Sequence, residues 1–241
     1  MRSVRAEADE KVFSQDTFSS RSRVAPNLSG VTTLEIETPH GPARAHVHGK
    51  RSAAGALVLG HGAGGGVGAR DLVAACEGAL AAGLRVVLVE QPYRVAGRRS
   101  PAPAAQLDAA WNAVIADLRR RRLIAGKLIA GGRSAGARVA CRTGSDTGAA
   151  AVLCLAFPLH PPGRPEKSRL EELDAVAVPT LVIQGDSDPF GMPPPGDHRE
   201  VVVVKGNHSL AADLAAVRAA VGDWLAGIVE TATRTGAPGA R

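Results

Sequence analysis

The sequence predicts one α/β domain with a mostly parallel central sheet and helices on both faces. Strand-length apolar runs alternate with helical segments from residue 56 onward, the order that builds parallel crossovers. Several runs, such as Ala56–Leu59 and the VVLV centre of LRVVLVE at residues 84–90, are continuously apolar rather than alternating, as strands covered on both faces are. At 241 residues the chain is long enough to bury a core without disulfides or metals. Hydrophobic residues make up 45% but aromatics only 3%, so that core must consist of Ala, Val and Leu.

Residues 1–28 are polar and lack periodicity, and are expected to form a mobile arm before a domain spanning 29–231. VTTLEIET and ARAHVH alternate across the turn signal Pro39–Pro42, which predicts an antiparallel pair. Ala56–Leu59 then predicts a buried strand, followed by the glycine-rich HGAGGG of His61–Gly66. A helix over Asp71–Ala82 leads into LRVVLVE, and this strand, helix, strand order specifies a right-handed crossover. The pattern continues with a helix over Ala104–Arg121, a strand over Lys127–Ala130 ended by Gly131 and Gly132, and a helix over Ala135–Arg142. A strand over Ala150–Leu155 precedes a Pro-rich connection and a short helix at Leu170–Leu173. PTLVIQG and EVVVVKG are the last strands, an amphipathic helix runs from Ser209 to about Val229, and residues 232–241 are expected to form a flexible tail.

Composition excludes several function classes. The formal charge of +6 and the run Arg119–Arg122 could suit an acidic partner, but the run ends a predicted helix, where cations complement terminal carbonyls. With so few aromatics there is no base-stacking surface, so no nucleic-acid partner is expected. No run has the length of a membrane span and the first 20 residues hold no secretory-type apolar segment, so a cytoplasmic protein without a membrane partner is expected. Cys76, Cys141 and Cys154 sit in apolar patterns and read as buried free thiols. No spacing resembles a metal site, and no cofactor is expected. A dinucleotide reading of the glycine-rich turn, with Glu90 at the end of the next strand, fails in register: counting G-x-G-x-x-G from Gly62 puts Val67 at the third glycine.

The residues with chemistry fall just after predicted strands, where loops of a parallel sheet converge. Gly132, Arg133, Ser134, Ala135 and Gly136 form G-x-S-x-G at a strand-to-helix junction. Asp188 follows LVIQG and His208 follows VVVVKG, so the chain order is serine, aspartate, histidine, as in α/β-hydrolases. Serine needs a base to be nucleophilic at neutral pH, a role expected for His208, and the histidine needs a carboxylate to fix its tautomer. Asp188 is favoured over Asp186 because it lies further beyond the strand end, where a loop can turn it toward the histidine; Asp186 otherwise reads as a turn residue. Backbone N–H groups of Ala63 and Ala135 are the expected oxyanion donors. His61 reads as holding its loop, Arg133 as a structural ion pair, and His40, His46, His48 and His198 as residues outside any constellation. Arg98 and Arg99 could present guanidinium groups to a substrate carboxylate or phosphate, and His160 could wall the pocket.

HGAGGG, GRR at Gly97–Arg99, GGRSAG, FPLHPPGRPEK, QGDSDPFG and GNH occur in that order. As a set they resemble the small dienelactone-hydrolase-related branch of the α/β-hydrolases, over about residues 30 to 230. The set is especially similar to the hydrolase-like domain shared by a testis-expressed protein and the third subunit of the nonspecific-lethal histone acetyltransferase complex. The resemblance implies the α/β-hydrolase fold and a triad at Ser134, Asp188 and His208, but no substrate. The cysteine nucleophile of dienelactone hydrolases is absent, since serine occupies the motif. Only about two dozen residues join the Ala150 strand to PTLVIQG, too few for a large cap domain. The expectation is therefore a serine hydrolase of carboxylesterase or thioesterase type acting on a small ester or thioester. A hydrolase-fold interaction module is the alternative, because fold does not fix function. The sequence sets no oligomeric state.

Overall fold

The computed structural model describes residues 31–50 and 53–235. β1 (Thr32–Ile36) and β2 (Ala43–His48) form the expected antiparallel pair, closed by Gly41 N–H donating to Thr38 O at 3.2 Å. The alternation is visible in β2, where Ala43, Ala45 and Val47 face the core. β3 (Gly55–Gly60), α1 (Arg70–Ala81) and β4 (Arg85–Glu90) make the first crossover. α2 (Pro92–Val95) follows, a single turn with proline at its start, in a stretch that reads as loop in the sequence. Then come α3 (Ala104–Arg120), β5 (Lys127–Arg133), α4 (Ala135–Thr143), β6 (Ala151–Leu155) and α5 (Leu170–Asp174). β7 (Thr180–Gly185), β8 (Arg199–Val204) and α6 (Leu214–Thr235) complete the chain.

The strands form one eight-stranded sheet in the order β1-β2-β4-β3-β5-β6-β7-β8. β2 is antiparallel to both its neighbours, and every pair from β4 to β8 is parallel. β3, β6 and β7 are buried along their whole length, which explains their continuous apolar runs. Alternate residues feed two cores. Val58, Leu128, Ala130, Val152 and Cys154 pack toward α3 and α4, around Trp111, while Leu57, Leu59, Ile129, Leu153 and Leu155 pack toward α1 and α6. The α6 stripe of Val217, Val221 and Leu225 is spaced every four residues, so one helical face is buried.

Three expectations change. Gly131 and Gly132 do not end β5; they continue it, paired with Leu59 and Gly60 on one side and Leu153 and Cys154 on the other. Here glycine reflects closeness rather than a break: a β-carbon on Gly131 would lie 2.5 Å from Leu153 O, and one on Gly132 would lie 2.6 Å from Gly60 O. α6 starts at Leu214 instead of Ser209, because Asn207 Oδ1 accepts from Ser209 N–H and holds residues 207–210 in a turn. Asp213 then caps the helix, its Oδ1 accepting from Ala216 N–H at 2.9 Å. α6 also continues through Thr235, past its expected end near Val229, whereas residues 1–30 and 236–241, where the arm and most of the tail are expected, lie outside the described residues.

Three of the four arginines in the basic run at the end of α3 have internal partners, since Arg120 and Arg121 both pair with Asp117 and Arg119 donates to Gly148 O. All three cysteines are buried and free, with Cys141 and Cys154 Sγ atoms 3.5 Å apart.

α1 and α6 cross in backbone contact, because a β-carbon on Gly78 would lie 2.5 Å from Arg218 O. By propensity alone Gly78→Ala would stabilise α1; against a backbone wall it should instead cost about 1–3 kcal/mol. Urea unfolding of the variant measures this, and a gain in stability would show that the two helices are not so closely apposed.

Candidate active site

Ser134 joins β5 to α4 with φ 52 and ψ −108, a conformation that an L-residue adopts only under constraint and at a cost of about 1–3 kcal/mol. Its N–H donates to Leu155 O at 2.9 Å. The glycines on either side let the turn form. A β-carbon on Gly136 would lie 2.4 Å from Gly60 O, so α4 can start against β3 only if that position has no side chain.

His208, in the turn after β8, places Nε2 2.9 Å from Ser134 Oγ and Nδ1 2.8 Å from Asp188 Oδ2. A carboxylate facing Nδ1 assigns the proton to that nitrogen and leaves Nε2 to accept from the serine hydroxyl. The Asp188 side chain is buried, and its other oxygen accepts Phe190 N–H at 2.9 Å. The Phe190 ring lies on the His208 imidazole with centroids 4.1 Å apart, covering one face of the base. Asp186 is turned elsewhere: its Oδ1 accepts Gly206 N–H at 3.0 Å, the turn role weighed against an acid role.

The glycine-rich loop after β3 lies against the serine, with the β-carbon position of Gly62 3.6 Å from Ser134 Cβ. His61 holds that loop. Gln91 N–H donates to His61 Nε2 at 3.1 Å, so Nδ1 carries the proton and donates to Gly62 O at 2.8 Å. Burial lowers the His61 pKa, which favours this neutral form. Tyr93 adds a second brace through its hydroxyl, which donates to Ala63 O at 3.0 Å. Ala135 is the first residue of α4, so its N–H has no acceptor within the helix.

Arg133, inside the motif, points away from the serine hydroxyl. Nε donates to Asp71 Oδ2 at 2.8 Å and Nη2 to His208 O at 3.0 Å, so the expected ion pair also ties the His208 turn to the start of α1. Desolvation raises the Asp71 pKa, an effect only partly offset by the Arg133 guanidinium.

Other expected rim residues are less intimately placed. Arg98 and Arg99 are exposed on the loop after α2, and neither bonds to Ser134, Asp188 or His208. Arg98 borders a cavity of 50 Å³ shared with His40, Gln91 and Tyr93. His160 braces the acid loop: its N–H donates to Phe190 O at 3.0 Å, and its ring packs on Gly191. Sequence reasoning missed Gln184, Tyr93, Phe190 and Asp71. A usable signal existed for Gln184, the one amide in the otherwise apolar run TLVIQG. Among the described residues no group of three or more His, Cys, Asp or Glu could hold a metal, and no helix is long and apolar enough to cross a membrane.

Comparison with known proteins agrees with this architecture. No curated protein matches the chain by sequence. An alpha/beta serine hydrolase homologue from Coxiella burnetii superposes with a TM-score of 0.65 at 17% identity, covering 80% of this chain and 97% of its own. XC6422 from Xanthomonas campestris, described as an a/b serine hydrolase without lid, gives 0.63 at 20% identity, over 88% of this chain and 98% of its own. Est1E from Butyrivibrio proteoclasticus with ferulic acid bound gives 0.68 at 14% identity, over 82% of this chain and 99% of its own. At such identities these structures speak to the fold. A family model described as an alpha/beta hydrolase domain matches residues 53–215, well over half of the sequence, and the chain therefore belongs to the alpha/beta hydrolase domain family.

Proposed function

We propose that the protein is a serine hydrolase that cleaves a small ester or thioester through an acyl-enzyme. The observation that carries this reading is the continuous hydrogen-bonded series from Ser134 Oγ through His208 to Asp188, at 2.9 and 2.8 Å. His208 Nε2 takes the hydroxyl proton as Ser134 Oγ attacks the acyl carbon. The N–H groups of Ala63 and Ala135 receive the developing oxyanion. The imidazolium, steadied by Asp188, returns the proton to the leaving alkoxide or thiolate, and water then repeats the sequence to release the acid. A strained serine conformation and a base shielded by Phe190 favour this reading over an interaction module, which would need neither.

The connection from β6 to β7 contains only the five-residue α5, which supports an open site suited to short or protruding acyl groups. The motif set HGAGGG to GNH supports placing the chain in the dienelactone-hydrolase-related branch. Arg98 and Arg99, exposed and unpaired with any acid among the described residues, act as docking cations for a substrate carboxylate or phosphate.

Kinetics on short-chain ester and thioester panels test the assignment. Ser134→Ala should lower kcat/KM by at least about 10³-fold and Asp188→Asn by about 10² to 10⁴-fold, while Asp186→Asn stays within about threefold. Equal activity in the Asp188 variant would reject it as the acid. The double change Arg98→Ala, Arg99→Ala should raise KM for a succinyl monoester about tenfold at low salt and leave a neutral acetyl ester unaffected. Equal effects on both substrates would remove the arginines from the binding site.

A further inference from the structure

Gln184, at the end of β7, has no part in the hydrolytic scheme above, yet it is fully buried in a strand otherwise built from TLVI and glycine. A buried primary amide is costly unless its polar atoms are used. Its Nε2 lies 2.8 Å from Asp188 Oδ2, 2.8 Å from Gly191 O and 3.1 Å from Phe157 O. All three partners are acceptors, which assigns the nitrogen to this side; the flipped amide would press its oxygen against a carboxylate and two carbonyls. The amide oxygen has no partner among the described residues. An apolar side chain of the same shape would avoid that orphaned acceptor, so the reason for an amide lies with its two N–H donors.

We infer that Gln184 is a positioning residue that acts on His208 through Asp188; the inference rests on the hydrolase reading. Asp188 Oδ2 is the oxygen that receives His208 Nδ1–H, so Gln184 and His208 share one acceptor atom. With Phe190 N–H on the other oxygen, the carboxylate is held at both ends and cannot rotate away from the imidazole. The second amide hydrogen is shared between Gly191 O and Phe157 O. One side chain thus fixes the acid, the loop whose Phe190 ring covers His208, and the segment just after β6. The orientation of the His208 ring, and hence the aim of Nε2 at Ser134, depends on all three.

Two substitutions separate positioning from packing. Q184M keeps the shape and removes the donors; Q184E places a second carboxyl against Asp188. The titratable groups facing position 184 are Asp188, with His208 beyond it, and His160 across Gly191. Two buried carboxyls at hydrogen-bond distance share a proton, so the introduced carboxyl can donate to Asp188 until that proton leaves, after which the two repel. In hydrolysis of p-nitrophenyl acetate, Q184M should lose about 10 to 100-fold in kcat with KM changed by less than about threefold, at every pH. The ratio of Q184E to wild-type kcat should fall progressively as pH rises. Wild-type kcat in Q184M, or a Q184E ratio that is flat with pH, would overturn the inference. If Q184M does not fold, as judged by circular dichroism, the Q184E ratio decides alone. Wild type lacking Ser134-dependent turnover would overturn the hydrolase reading and this inference together, whereas full wild-type turnover with an unaffected Q184M overturns this inference only.

Discussion

The close backbone contact between the start of α4 and strands β3 and β5 is the constraint on which the rest of the structure depends. Gly132 and Gly136 leave no side chain between these segments, and the approach leaves Ser134 no room for an ordinary turn. The strain of its φ 52, ψ −108 conformation is offset by the surrounding sheet, whose hydrogen bonds with β3 and β6 hold β5 in place up to the bend. Ser134 thus stands at the sheet edge where other strands deliver their loops. Small residues flanking the bend are therefore what allows Ser134 its place at the end of β5.

Convergence at that edge follows from parallel topology. β3 delivers the glycine-rich loop, β5 the serine, β7 the aspartate and β8 the histidine, each within a few residues of its strand end. Bracing then turns proximity into geometry. His61 and Tyr93 hold the glycine-rich loop, Arg133 joins the His208 turn to Asp71, and Gln184 holds the acid. Buried charges are expensive, and the two buried carboxylates of this network, Asp71 and Asp188, each face a partner. The exposed arginines of the β4 to α3 connection lie outside this network, which leaves them available to a ligand.

Much of the fold is legible in the sequence because a parallel sheet covered on both faces writes itself as continuous apolar runs, as in β3, β4 and β7. Misread positions are those where local preference yields to tertiary contact. Glycine weakens an isolated strand, yet Gly131 and Gly132 stay in β5 because neighbouring backbones crowd their β-carbon sites. Ser209 resembles a helix start, but Asn207 captures its amide and the helix waits for the Asp213 cap. Ser134, Asp188 and His208 are legible because motif and chain order locate them, and position past the strand end distinguishes Asp188 from Asp186. Arg133 with Asp71 and Tyr93 with Ala63 join residues distant in sequence, and nothing local in either partner signals the other.

The proposed chemistry depends on Ser134 acting as a nucleophile activated by His208. Treatment of the protein with a fluorophosphonate, followed by peptide mass spectrometry, tests that most directly, since the reagent reports an activated hydroxyl whatever the natural substrate. A single stoichiometric adduct on Ser134 is expected, lost in His208→Ala even though that variant keeps the serine. Folded wild-type protein that forms no adduct, or forms one elsewhere, would contradict it.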